Sequence, residues 1–225
     1  MMKEKINYAL IMAAGRGMRM IPLTDIIPKA MVPIGESTLI AKGLEYMHRK
    51  VPFIYVTVGY KGAMLAQHVI EHHVAGIFNT TGKDNAWWLF HTLMKELNEP
   101  VLVLTCDNVV ELDLELLCEE YFSKGAPPCM VVPVRPIAGL EGDYIVHEHN
   151  IVQRLSRHEV TDMYCSGIQI IHPRKVNALM PPADNFYEVW NNLMMTQNLF
   201  CSNLYPEKWY AVDTLQQLSS FKETL

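Results

Sequence analysis

The chain has 225 residues, half of them hydrophobic and 19% charged, with a formal net charge of −5. That composition excludes a disordered chain, and the lack of a basic excess argues against a protein that tracks a nucleic-acid backbone. No stretch reaches the ~18–20 consecutive apolar residues of a membrane-spanning helix, and five cysteines without a C-x-x-C pair point to a reduced, cytoplasmic setting.

The chain opens with Lys3, Lys5 and a short apolar run. The run is too short for a secretory leader and lacks a small-residue cleavage site, so 8–13 is expected to be a buried first strand. Helical patterns follow at 38–49, 61–72, 85–97 and 113–122. They alternate with continuous apolar or β-branched runs at 53–58, 76–79, 101–105 and 130–134. Apolar strands alternating with helices predict a parallel sheet covered on both faces. Beyond Arg135 the pattern changes. A hairpin is expected over 143–147 and 151–156 with its turn near Asn150, then a strand at 164–171 and a helix at 187–196. Short strands at 199–204 and 209–212 and a closing helix at 215–221 complete the chain. The expectation is one α/β domain over 1–225, with a mostly parallel, Rossmann-like sheet and a smaller inserted β-rich lid. Its nucleotide-binding half would span about 1–134 and its acceptor-binding half about 135–225. A homo-oligomer is compatible with this composition and not required by it.

The densest chemical signal follows the first strand. Ala13-Ala14-Gly15-Arg16-Gly17-Met18-Arg19 leads through Pro22 and Thr24 into Pro28-Lys29 and Pro33. Loops at the carboxyl ends of strands line the ligand crevice of open α/β sheets. Gly15 and Gly17 let backbone N–H groups approach phosphate oxygens, and Arg19 and Lys29 add positive charge. A dinucleotide-binding G-x-G-x-x-G would need glycine where Met20 stands, and a Walker A motif is absent.

This run resembles the signature of the nucleotidyltransferases that make nucleotide sugars, a Gly-x-Gly-x-Arg loop followed by Pro-x-Thr and Pro-Lys-x-x-x-Pro. It is also similar to the compact cytidylyltransferases that activate phosphocholine. The resemblance implies an enzyme that joins an NTP to a small phosphorylated substrate and releases pyrophosphate. It assigns the leaving β- and γ-phosphates to Arg19 and the α-phosphate to Lys29. Ala13 to Met18 and Asn85 would contact the nucleotide. A non-catalytic nucleotide-binding subunit on the same fold is the lesser alternative.

The apolar run 101–105 ends at Asp107, where a carboxylate at the crevice can bind a hard cation. Asp113 is better placed to cap the next helix. The family has Gly-Asp where this chain has Cys106-Asp107, and the resemblance makes Asp107 a Mg²⁺ ligand. Trp209-Tyr210-Ala211-Val212-Asp213 resembles the family's late motif, but the acidic position two residues after the Trp is Ala211. Asp213 is therefore either the second Mg²⁺ ligand or a helix cap.

On the acceptor side the resemblance points to Gly142, to Gly167 within Ser166-Gly167-Ile168, and to Glu188 for substrate hydroxyls. Arg157 is either a phosphate contact or a surface residue. Tyr187 and Trp190 fit an aromatic box for a quaternary ammonium, or the core. The histidine pairs His68/His72 and His147/His149 lack a third ligand at zinc spacing.

Overall fold

The computed structural model describes residues 4–137 and 142–222. In chain order the first half contains β1 (Tyr8–Met12), α1 (Leu23–Ile26), β2 (Pro33–Ile34), β3 (Ser37–Thr38), α2 (Leu39–His48), β4 (Phe53–Val58), α3 (Gly62–Glu71), β5 (Gly76–Asn79), α4 (Trp87–His91), β6 (Val101–Thr105), β7 (Asn108–Glu111), α5 (Leu114–Ser123) and β8 (Cys129–Val134). The second half adds β9 (Tyr144–Glu148), β10 (Ile151–Ser156), β11 (Tyr164–Ile171), α6 (Pro173–Leu179), α7 (Phe186–Met195), β12 (Leu199–Cys201), β13 (Lys208–Ala211) and α8 (Leu215–Lys222).

Nine strands form one sheet in the order β5-β4-β1-β6-β11-β8-β12-β10-β9. The four strands β5, β4, β1 and β6 are all parallel. Strand β11 enters antiparallel between β6 and β8. The expected hairpin β9–β10 lies at the far edge and turns through His149 and Asn150, both at positive φ. The β-rich portion of the second half thus continues the sheet.

Period-2 alternation builds the core on both faces. Ala9 and Ile11 of β1 and Leu102 and Leu104 of β6 face one side with Leu44, Leu117 and Tyr121. Leu10, Val101 and Val103 face the other with Trp88, Phe186, Val189 and Leu193. Each fully buried Leu, Ile, Val or Phe side chain among them contributes about 1.5–3 kcal/mol. A third, smaller cluster joins Met20, Val32 and Ile34 to Val212, Leu218 and Phe221. It ties the glycine-rich segment to the last helix.

Local chemistry sets several boundaries. Thr38 caps α2 by accepting from Ala41 N at 3.2 Å. Asp113 caps α5 through Glu115 N and Leu116 N. The helix expected over 85–97 breaks at Thr92. Its hydroxyl donates to Trp88 O at 2.7 Å and accepts from Met94 N at 3.2 Å, ending α4 and starting a 3₁₀ turn at Leu93–Glu96. Helix α6, not expected from the sequence, starts on Pro173, where a missing N–H costs nothing.

Candidate active site

The glycine-rich loop is held open by contacts that leave its inner face free. Gly17 sits at φ 69, and a Cβ there would lie 2.8 Å from Lys29 Cβ. Only glycine lets the loop lie directly on the Lys29 stem. The buried Thr24 donates to Gly17 O at 3.0 Å, which gives the Pro-x-Thr step its structural purpose. Gly59 allows an equally close approach to Ala14, since its Cβ would meet Ala14 O at 2.7 Å. Sequence reasoning missed Gly59, which lies in a separate segment after β4.

A cleft of about 570 Å³ opens beside this loop. Ala14, Gly15, Gly17, Met18, Arg19, Lys29, Asn85, Asp107 and Asp213 line it, so nine of the residues expected at the site come together. Two expected loop contacts do not. The Arg16 guanidinium turns outward to Asp25 at 3.1 Å and over the Tyr60 ring at 5.1 Å. Ala13 is buried, and its N–H is spent on Thr57 Oγ1 at 3.1 Å.

Two carboxylates converge through a ribbon that the sequence reading did not foresee. Strand β7 pairs antiparallel with β13, setting Asn108 opposite Ala211. One step beyond the ribbon, Val212 N donates to Asp107 O at 3.0 Å. Asp107 and Asp213 therefore flank the same end. Asp213 does not cap α8. Thr214 Oγ1 accepts from Gln217 N, and Gln217 Oε1 accepts from Thr214 N and Asp213 N, a reciprocal capping box. The Asp213 side chain is thereby left for the cleft.

Lys29 lies between the two acids. Its Nζ donates to Asp107 Oδ2 at 2.6 Å and to Asp213 Oδ1. Arg19 reaches Asp213 Oδ1 at 3.1 Å from a more exposed position. Burial opposes the charge on Lys29, yet the charge and hydrogen bonds of both acids outweigh it and hold the ammonium above its ordinary pKa. Burial likewise disfavours the Asp107 carboxylate, but the Lys29 charge and hydrogen bond prevail and hold it below its ordinary value. Beside them the Cys106 thiol is pushed up to about 12, first by burial and then by the Asp107 charge.

Other lining residues were not anticipated: Thr57, Thr80, Lys83, Thr105 and Asn185. Trp88 is buried against Phe186 and also lines the cleft, and its indole N–H has no partner among the described residues. Asn85 reaches the cleft while its Oδ1 accepts from Phe186 N at 2.9 Å, tying the cleft to α7.

The residues expected to meet the acceptor lie outside this lining. Glu188 is folded back over the start of α7. It bonds Asn185 Nδ2 at 2.7 Å and faces Asp184 N at 3.4 Å, while Asn185 caps Glu188 N. Arg157 pairs with Asp143 at 3.2 Å and faces the Tyr187 hydroxyl at 3.4 Å, and Tyr187 donates to Asp143 at 2.5 Å. Gly142 packs on the Tyr164 ring. Gly167 sits at φ 79 in the irregular middle of β11, where a Cβ would meet Asn108 Nδ2 at 3.3 Å. Ser166 Oγ is turned into the sheet to Val132 O at 2.6 Å. Trp190 is core, its indole N–H bonded to the buried Gln169 at 2.9 Å.

The sequence model of the nucleotidyl transferase family matches residues 8–140. The mannose-1-phosphate guanyltransferase of Pichia angusta is 26% identical over 219 residues, covering 90% of this chain and 60% of that protein. The choline-phosphate cytidylyltransferase of Streptococcus pneumoniae is 29% identical over 126 residues, covering 54% and 55%. The bifunctional protein GlmU of Methanococcus aeolicus is 26% identical over 106 residues, covering 47% of this chain and 26% of that protein. The chain thus spans between about a quarter and three fifths of the length of these curated relatives. Among solved structures, the CTP:phosphocholine cytidylyltransferase of Streptococcus pneumoniae superposes with a TM-score of 0.74 at 21% identity, covering 96% and 98% of the two chains. The inositol-1-phosphate CTP transferase of T. maritima gives 0.75 at 16% identity, covering 99% of each. The family match takes in the loop, Lys29 and Asp107 together, and the chain belongs to the nucleotidyl transferase family.

Proposed function

We propose that this protein transfers NMP from an NTP to the phosphate of a small acceptor, releasing pyrophosphate. The observation that carries the reading is the meeting of Lys29, Arg19, Asp107 and Asp213 in one cleft beside the Gly15–Gly17 loop. An acceptor phosphate is already an anionic nucleophile, so the reaction needs alignment and charge neutralisation rather than a general base. The loop amides cradle the triphosphate. Lys29 neutralises the α-phosphate as negative charge builds there. Arg19, more exposed at the mouth, holds the leaving pyrophosphate.

Asp107 and Asp213 would hold a Mg²⁺ ion. Two carboxylates from separate strand ends are hard oxygen donors, and their gap already accommodates the Lys29 ammonium. No cluster of three His, Cys, Asp or Glu side chains stands ready for a metal among the described residues. That suits Mg²⁺, which takes one or two carboxylates and fills its shell with water and phosphate oxygens. When bound, the ion would supply charge neutralisation and a common template for nucleotide and acceptor phosphates.

The first reading of the acceptor is a sugar 1-phosphate, giving an activated nucleotide sugar. The similarity to a mannose-1-phosphate guanyltransferase over 90% of the chain supports it. The second is phosphocholine or a similar phosphorylated alcohol. It is favoured by the internal bonding of Glu188 and Ser166, the polar groups expected to meet hydroxyls, and by the exposed Tyr187 ring set edge-on to Trp190. No helix among the described residues is long and apolar enough to cross a membrane, and a cytoplasmic enzyme is the reading we adopt. The test is pyrophosphate release from each of four NTPs with hexose, heptose and amino-sugar 1-phosphates and with phosphocholine. Turnover with at least one pair is expected, and none with any pair would overturn the assignment.

A further inference from the structure

Lys29 stands where a metal ion would be expected to bridge two acids. Its ammonium touches both Asp107 and Asp213, and Arg19 adds a second cation on Asp213. Two carboxylates and two cations sum to zero charge. The Lys29 side chain is 10% exposed and each carboxylate 22%, so solvent screens these contacts only partly. A bare dication entering here would have to displace the ammonium from its partners and remain beside its charge. A triphosphate changes that balance, because it brings several negative charges of its own.

Lys29 is also held in place from behind. Its stem packs under Gly17, where even one added carbon would collide at 2.8 Å. The Gly17 carbonyl is in turn fixed by Thr24. The ammonium has a defined resting position, and the element that defines it is the loop expected to receive the phosphates.

We propose that Lys29 acts as a tethered cation that excludes the divalent metal from the nucleotide-free protein, so that the metal enters only with its nucleotide. This rests on the reading of Asp107 and Asp213 as the metal-holding acids. Phosphate oxygens draw the ammonium off the carboxylates, and the vacated gap then accepts the ion. One side chain would thereby prevent metal from occupying an empty site and be delivered to the α-phosphate when the nucleotide arrives.

The test measures binding of Mn²⁺ by electron paramagnetic resonance, with no nucleotide present. The wild-type protein should bind Mn²⁺ weakly. Lys29→Met and Lys29→Gln should bind it tenfold or more tightly, the scale of effect one adjacent charge exerts on a partly buried acid. Lys29→Arg should stay weak. Adding Asp213→Asn to Lys29→Met should abolish the gain. If both neutral variants keep the wild-type thermal transition and bind Mn²⁺ no more tightly, the inference is overturned. A second titration uses wild-type protein with the α,β-methylene analogue of each NTP. Mn²⁺ retained there and lost in Asp107→Asn leaves the metal-site reading intact even if the first result fails. Mn²⁺ bound equally in both proteins removes that reading and the inference with it.

Discussion

The residues that line the cleft and those expected to meet an acceptor solve different problems with the same residue types. On the nucleotide side the charged groups pair across elements far apart in sequence. Lys29 meets Asp107 and Asp213, and Arg19 meets Asp213. These pairs cap no helix and bond no strand, which in the function proposed above leaves them open to exchange for phosphate and metal. On the acceptor side the expected groups are built into the frame. Glu188 closes a helix cap, Ser166 bonds inside the sheet, and Arg157 joins the hairpin β9–β10 to α7 through Asp143 and Tyr187. A polar side chain free to trade partners marks the chemistry, whereas one that satisfies backbone groups marks the scaffold.

The largest expected effect tests the nucleotide side. Asp107→Asn should slow pyrophosphate release about a hundredfold or more, because the shared cation of two phosphates loses a charged ligand. Asp213→Asn should behave alike and raise the Mg²⁺ concentration needed for half-maximal rate. The capping box of α8 runs through Thr214 and Gln217 and survives that change. Unaltered rate and Mg²⁺ dependence in Asp213→Asn would break the comparison by making Asp213 part of the frame. The pKa shifts give a sign. The folded Asp107 is held low and Lys29 high, so their mutual stabilisation is present between the ordinary values of the two groups. It is lost as pH falls through the depressed Asp107 value or rises through the raised Lys29 value. Activity should therefore show no titration of this pair near neutrality.

Arg19→Ala comes next. Its partner contact is the more exposed one, so we expect weaker NTP binding, about tenfold in KM, with a smaller loss in kcat. A loss confined to kcat would move Arg19 away from the ground-state nucleotide.

How much of this was legible beforehand follows from the same contrast. The glycine-rich loop was readable because its parts are contiguous: glycines, Arg19 and Lys29 lie within one short run. Strands 53–58, 76–79, 101–105 and 164–171 were readable because buried strands carry a dense apolar signal. The β7–β13 ribbon was not, since Asn108 and Ala211 meet only in the fold. Gly59 and Thr57 escaped notice because each supports the loop from another strand end. Glu188 is a different case. An acid three residues after Asn185 is also a capping-box pattern, and in the structure Glu188 bonds Asn185 at the start of α7.

Gly167→Ala examines a place where frame and site touch. The positive φ makes any side chain unfavourable, and the added carbon would press on Asn108 Nδ2, whose bond to Ser166 O at 2.7 Å links β11 to the strand after Asp107. Thermal unfolding should report a destabilisation of about 1–2 kcal/mol. The acceptor KM should rise while the NTP KM holds. Equal changes in both would place the disturbance at Asp107 instead.

The smallest effect is expected at the acid that the resemblance assigned to substrate hydroxyls. Glu188→Gln keeps a hydrogen-bonding side chain of the same shape, so it can still reach Asn185 and the first turn of α7. What it removes is charge, and an acid near a helix N-terminus contributes only about 0.3–1 kcal/mol there. If Glu188 is frame, stability should fall by no more than that, and the acceptor KM should stay within about twofold, under 0.5 kcal/mol. If Glu188 turns out of its cap to meet an acceptor hydroxyl, the charged hydrogen bond would be worth about 1.5–3 kcal/mol, and its loss should raise the acceptor KM tenfold or more. Steady-state kinetics with the best acceptor from the panel separates these outcomes. A large KM effect with little change in thermal stability would show that the cap opens for substrate, and would erase the distinction between the two sides at this residue.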